Sequence, residues 1–328
     1  MPVAYLPSPA VGVWHLGAIP VRAYALFMVA GVTVALWLAD RRYRRATGRR
    51  GVILDLATVA VPVGFVGARI YSVLADFDLY FGHGRDWTDV FRVWQGGMGV
   101  AGAVAAGALA AWVYCRQTGI DVGPVALAAA PALAVAQAIS VWGNWFSQTL
   151  YGHPSGLPWA VAIAPQHRVG GYQAAAAFQP LFLYESALDL LVAAAVGYAI
   201  HRFTLTGGRA FALYAVLWAA GSATLEAMRI DHSPTVYDVR SSLVAMVAVG
   251  LLGVGYLIAV QHRSRQRRLI RAAQPPPSQQ MLRPRSSRAT AGRIGLAGPD
   301  DASDAGPGVA PAASSGPEAA RPTPLATE

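Results

Sequence analysis

Trp142-Gly-Asn-Trp-Phe-Ser-Gln-Thr-Leu-Tyr-Gly-His-Pro-Ser-Gly-Leu-Pro-Trp159 is where an apolar run, residues 123–147, meets a polar connection. Indoles, amides and hydroxyls crowd into it straight after alanines, valines and leucines. That mixture suits the boundary between hydrocarbon and water, where aromatic rings and polar groups settle together. Outward from this stretch the chain repeats the pattern. Apolar runs lie near 21–39, 52–74, 98–115, 123–147, 181–200, 210–227 and 239–260, each of a length to cross ~30 Å of hydrocarbon as a helix. The expected fold is all-α: a polytopic membrane protein with about seven transmembrane helices. The third and fourth runs are rich in Ala and Gly, which lowers their hydropathy but suits close helix contact in lipid.

Composition agrees. Of 328 residues, 55% are apolar and only 13% charged, too apolar a balance for an ordinary soluble domain of this length. All 26 cationic residues are arginine, and their excess falls in Arg41 to Arg50, Arg263 to Arg271 and the C-terminal tail. No single basic face with interleaved aromatics results, so no nucleic-acid partner is expected. Cys115 is the only cysteine, which excludes an internal disulfide and a thiolate metal cluster; it reads as a small apolar residue at a helix end. The first basic residue, Arg22, directly precedes the first apolar run, so no cleaved signal peptide is expected.

The arginines also orient the chain. Asp40-Arg-Arg-Tyr-Arg-Arg-Ala-Thr-Gly-Arg-Arg50 holds six arginines in eleven residues and belongs on the cytoplasmic side. With seven spans the N-terminus is then outside and the C-terminus cytoplasmic. The connections at 115–122, 201–209 and 263–271, all arginine-bearing, fall inside as required. The longer connections at 75–95 and 148–179 fall outside, with Trp, Tyr and the acids Asp76, Asp78, Asp86 and Asp89. Elaborated outer connections point to outward-facing chemistry. The expected division is a seven-helix domain over 1–262 and a tail over 263–328, basic at first and then rich in Pro, Ala and Ser without apolar periodicity, hence disordered.

Ionisable side chains inside apolar runs cost ~2.5–3.5 kcal/mol each at the centre of the hydrocarbon, so they face cavities or partners. Arg69 and Asp76 are two helical turns apart, on one face. Glu226 and Arg229 have same-face ion-pair spacing, and an arginine at a lipid headgroup level can hold a phosphate through paired donors. Glu185 and Asp189 share a face beside Tyr184, which points to a polar cavity or to an arginine from another helix. Arg22 and Tyr24 fit interfacial anchoring. Gln95-Gly-Gly-Met-Gly99 follows no strand, so it reads as close helix contact and not as a nucleotide loop. The seven histidines make no metal-ligand spacing with an acid, and no Gly-x-Ser-x-Gly turn suggests a serine hydrolase.

Six pieces in order resemble the bacterial prolipoprotein diacylglyceryl transferase family: Ile19-Pro-Val-Arg-Ala-Tyr24, Gly67-Ala-Arg-Ile-Tyr71, Gly96-Gly-Met-Gly99, Gly143-Asn144 with Leu150-Tyr-Gly152, Leu183-Tyr-Glu185 and Glu226-Ala-Met-Arg229. The similarity covers about Ile19 to Ile258. The resemblance implies transfer of a diacylglyceryl group from phosphatidylglycerol to the lipobox cysteine of a secreted prolipoprotein, with glycerol phosphate released, at the bacterial plasma membrane. It implies no cofactor and no metal. Carried over position by position, Arg229, Glu226 and Tyr24 are catalytic candidates. Asn144, Gly152, Arg69, Tyr184 and Glu185 are substrate-binding candidates.

The chain also departs from the family pattern. Val141 stands where the family has a phosphate-binding arginine, Thr149 where it has a glutamate, and Ala101 and Gln179 where histidines are frequent. A lost oxyanion-type contact costs roughly 3–4 kcal/mol. Arg69 and Arg240 are the cations placed to stand in. Two readings follow: a divergent transferase, or a silent paralogue that binds phospholipid or lipoprotein precursors. A transporter is less well supported, since no internal repeat suggests two rocking halves.

Overall fold

A helix satisfies its own backbone hydrogen bonds, which is what apolar runs in lipid require. The computed structural model describes residues 5–17, 19–75, 81, 87–91, 99–230, 235–236 and 239–273, and in them the apolar runs are helices. They are α1 (Ala23–Thr47), α2 (Val52–Ala75), α3 (Val100–Gln117), α4 (Val122–Ser140), the short α5 (Gly143–Ser147), α6 (Leu181–Phe203), α7 (Gly207–Glu226) and α8 (Ser241–Ala273). Among the described residues, five helices are long and apolar enough to cross a membrane: α1, α2, α4 continued by α5, α6 and α8. The protein is a mostly helical, multi-pass membrane protein.

Helix ends follow local chemistry. Asp121 caps α4 by accepting from the Gly123 amide at 2.9 Å. Gly48, with φ 75°, closes α1 and donates to the Arg44 carbonyl, while Arg44 and Arg45 complement the helix dipole in the last turn.

α4 is the hub, packing on α1, α6 and α7. Its alanines make this possible: Ala128, Ala130, Ala132, Ala134 and Ala138 are all buried, and with so little side chain several helices approach at once. α2 packs chiefly on α3. A Cβ placed on Gly67 would stand 2.2 Å from Ala106 Cβ and 2.7 Å from the Gly102 carbonyl, so that seam needs glycine. α8 is the least enclosed span, with 6% of its apolar window buried; Gly250 and Gly253 set it against Ala219 and Val216 of α7.

One end of the bundle gathers the arginine-rich termini. Tyr43, Ile53, Cys115 and Val125 form a core there from four successive helices. Arg41 stacks over Trp37 at 5.4 Å, Arg116 over Trp112 at 5.2 Å, and Arg209 bonds Ser264 at 2.9 Å. Tail residues from 274 onward lie outside the described set, as do Asp76, Asp78, Asp86 and residues 95–98; the 262/263 boundary falls inside α8.

The opposite end carries short strands that an all-α reading does not include. β1 (Leu6–Pro7), β4 (Val161–Ala162) and β5 (Ala177–Phe178) form one sheet in the order β1-β4-β5. β2 (Val13–Leu16) pairs with β3 (Ile19–Arg22), and β6 (Thr235–Val236) with β7 (Val239–Arg240). Strands of two to four residues leave no readable alternation.

Candidate functional site

The site grows from the exit of α4. After Ser140 the chain turns into α5, and Asn144 is locked from both sides. Its Nδ2 donates to the Val141 carbonyl at 3.0 Å, and its Oδ1 accepts from Thr149 Oγ1 at 2.9 Å. Val141 is buried in an aromatic core with Tyr151, Phe178 and Phe182. The turn that follows is strained, with left-handed φ of 51° at Gln148 and 56° at Leu150, each costing ~1 kcal/mol or more. Gln148 offsets this by clamping two other segments: Nε2 donates to the Pro9 carbonyl at 3.3 Å, and Oε1 accepts from the Ala164 amide at 2.8 Å.

Gly152 then reaches α7's end. Its amide donates to the Gln179 carbonyl at 2.9 Å, and its backbone pairs antiparallel with Arg229. A Cβ there would lie 2.9 Å from the Met228 carbonyl, so the close approach explains the glycine.

Glu226, only 4% exposed, is the electrostatic centre. Its Oε2 accepts from Arg229 Nη1 at 2.9 Å. Its Oε1 accepts from Ser242 Oγ at 2.5 Å and faces Arg240 Nη1 at 3.4 Å. Arg240, the last residue of β7, also donates through Nη2 to the Arg229 carbonyl at 2.9 Å. Both carboxylate oxygens are therefore engaged, and three elements converge on one acid.

The first turns of α1 and α6 complete the arrangement. Tyr24 packs on Gly143, beside Asn144. Glu185 lies within the electrostatic reach of Tyr24, Arg229 and Glu226, which joins α1, α6 and α7 at one level. Tyr184 Oη accepts from Trp159 Nε1 at 2.9 Å, tying α6 to the long connection. Trp142 Nε1 donates to Ser186 Oγ at 3.0 Å, and Ser186 donates on to the Ala138 carbonyl at 2.9 Å. A narrow crevice is lined by Ser8, Asn144, Gln148, Thr149, Tyr151 and neighbouring apolar side chains.

Tyr24, Asn144, Gly152, Glu185, Glu226 and Arg229 thus come together, and Tyr184 borders them. Arg69 is buried in the α2–α3 hairpin, where its Nε donates to the Val90 carbonyl at 2.7 Å. Asp189, one turn beyond Glu185, is fully buried, and neither carboxylate oxygen has a hydrogen-bond partner among the described residues. Sequence reasoning missed Gln148 and Ser242. A hydroxyl at the mouth of an apolar run was the available sign of Ser242; nothing local marked Gln148 as a clamp.

Residues 11–259 match the family model described as prolipoprotein diacylglyceryl transferase. Curated relatives agree over most of both chains. A phosphatidylglycerol–prolipoprotein diacylglyceryl transferase of Streptomyces avermitilis is 46% identical over 79% of this chain and 75% of its own length. Its namesake in Streptomyces griseus is 44% identical over 79% and 78%. That of Rhodococcus jostii is 40% identical over 78% and 75%.

Proposed function

The chain belongs to the prolipoprotein diacylglyceryl transferase family, and on that premise we propose that it transfers the diacylglyceryl group of phosphatidylglycerol to a cysteine thiol of a prolipoprotein. The observation that carries this reading is the joining of Tyr24, Asn144, Glu185, Glu226 and Arg229 at one end of the bundle, held by the contacts that run through Gly143 and Gly152.

In the reaction the thiol sulfur attacks the glyceryl carbon that bears the phosphate ester. The C–S bond forms as the C–O bond breaks, and the bonding electrons leave with glycerol phosphate. The phosphate's charge grows from one to two as it departs. A guanidinium beside it therefore binds the transition state more tightly than the ground state, which is what accelerates the step. Arg229 has that role. Glu226, with both oxygens occupied and little exposure, orients Arg229 instead of taking a proton. The thiol proton passes to Glu185, which interacts electrostatically with Tyr24, and from there to the departing phosphate. Asn144, fixed by Val141 and Thr149, orients the headgroup.

The narrow crevice beside Asn144 has no room for two acyl chains. The chains lie along the apolar outer faces of the helices. The remaining parts of the reading are the lipobox cysteine as acceptor, the bacterial plasma membrane as location, seven spans with the N-terminus and site outward, a transferase domain over 1–262 and a cytoplasmic tail over 263–328. Arginines collected at the end opposite the site support that orientation.

The test is transfer of labelled diacylglyceryl from phosphatidylglycerol to a lipobox peptide by the purified chain. Product is expected, and Arg229→Ala abolishes it. Absence of product from the unaltered chain sinks the enzyme reading. Thermal stabilisation by phosphatidylglycerol without product marks a silent lipid binder instead.

A further inference from the structure

We propose that Arg240 is a second phosphate-binding residue of this site, acting with Arg229 as a paired guanidinium clamp. The inference rests on the phosphate-bearing substrate proposed above.

Three observations carry it. First, one buried carboxylate holds both guanidiniums: Arg229 at 2.9 Å through Oε2 and Arg240 at 3.4 Å through Oε1. Arg240 is further fixed by its bond to the Arg229 carbonyl at 2.9 Å. Two arginines anchored on one acid and on each other's backbone are pre-organised, so little order remains to be imposed when an anion arrives. Second, the anchoring leaves both side chains reachable, at 24% and 27% exposure, while the Glu226 side chain beneath them is buried. The cations face outward and the anion inward, the polarity that a phosphate needs. Third, Arg240 sets a second guanidinium, with its positive charge and planar donor fork, beside Arg229, at a site that also holds the acids Glu226 and Glu185.

The position is notable because the α4 exit supplies no cation: Val141 is buried and apolar there. The second charge comes instead from β7, through the register that pairs Thr235 with Arg240 and sets the arginine just before α8.

The test uses the full chain in detergent, with glycerol 1-phosphate and phosphatidylglycerol as separate probes and dissociation constants taken from thermal shifts. Arg240→Gln keeps hydrogen-bonding capacity and removes charge. It is expected to weaken binding of both probes at least tenfold. Unchanged affinity for glycerol 1-phosphate, with only a lower melting temperature in the ligand-free protein, would show a purely structural arginine and overturn the proposal. Should the glutamine variant not fold, Arg240→Lys decides: it keeps the charge but loses the fork, so threefold or greater weakening supports the clamp and wild-type affinity refutes it. If the unaltered chain binds glycerol 1-phosphate through Arg240 yet transfers no diacylglyceryl group, the clamp stands and the transferase reading falls.

Discussion

Glu226→Ala probes the point on which the site turns. The carboxylate is 4% exposed and receives Arg229 Nη1 at 2.9 Å, Ser242 Oγ at 2.5 Å and Arg240 Nη1 at 3.4 Å. Removing one member of a buried ion pair costs about 3–5 kcal/mol, because the partner is left uncompensated. Here the arginine side chains are 24% and 27% exposed, so water recovers part of that loss, and the lower figure of about 3 kcal/mol applies. At ~2 °C per kcal/mol for a chain of this size, melting should fall by about 6 °C. Tryptophan fluorescence of the detergent-solubilised protein reads it directly, since Trp142 and Trp145 lie close to the site. Glu226→Gln, which keeps two hydrogen-bonding atoms without the charge, should fall by about half as much. Transfer activity should drop with both variants, as Arg229 loses its orientation. A shift under about 2 °C for Glu226→Ala would show that the carboxylate does not organise these arginines, and the assignment of Glu226 as an orienting residue would go with it.

Three further outcomes follow from the packing. Gly67→Leu drives a side chain into Ala106 and the Gly102 backbone; overpacking should cost about 2 kcal/mol or more, and wild-type melting would refute the α2–α3 contact. Gln148→Ala removes the clamp on Pro9 and Ala164; a loss of about 2 kcal/mol is expected, with faster amide exchange in residues 5–17, and unchanged exchange would count against it. Asp189→Asn deletes a buried carboxylate that has no hydrogen-bond partner among the described residues; melting should hold or rise, and a fall of more than about 3 °C would reveal a partner that stabilises the charge.

The long helices were legible because each spans lipid on its own terms. A run such as Val122–Ser140 needs no other segment to satisfy its backbone, so its apolar length predicts its state. The strands were not, since β1, β4 and β5 are two residues each and exist only because distant segments meet. Site residues split the same way. Glu226 with Arg229, and Tyr184 with Glu185, announced themselves as polar groups within apolar runs. Gln148 did not, because a glutamine in a polar connection is unremarkable until Pro9 and Ala164 are placed around it. Arg69, similar in chemistry to Arg229, donates to the carbonyl of Val90 in the connection after α2, a partner its place in the sequence does not reveal. Spacing along one helix says which face an arginine shares, not which helix faces it.

By itself, then, the sequence determined that this chain is a mostly helical membrane protein, along which ends its arginines gather, and which motifs relate it to diacylglyceryl transferases. Those properties depend on hydropathy, charge and order, which are local. Only the tertiary structure decided that Arg229 and Arg240, eleven residues apart and on different elements, share the Glu226 carboxylate. It also decided that Arg69 bonds to the Val90 carbonyl and that Val141 gives a carbonyl to Asn144. The physical reason is the range of the forces: a span is selected by its own transfer from water to lipid, whereas a charged site forms only where separate helix ends bring opposite charges to within a few ångströms.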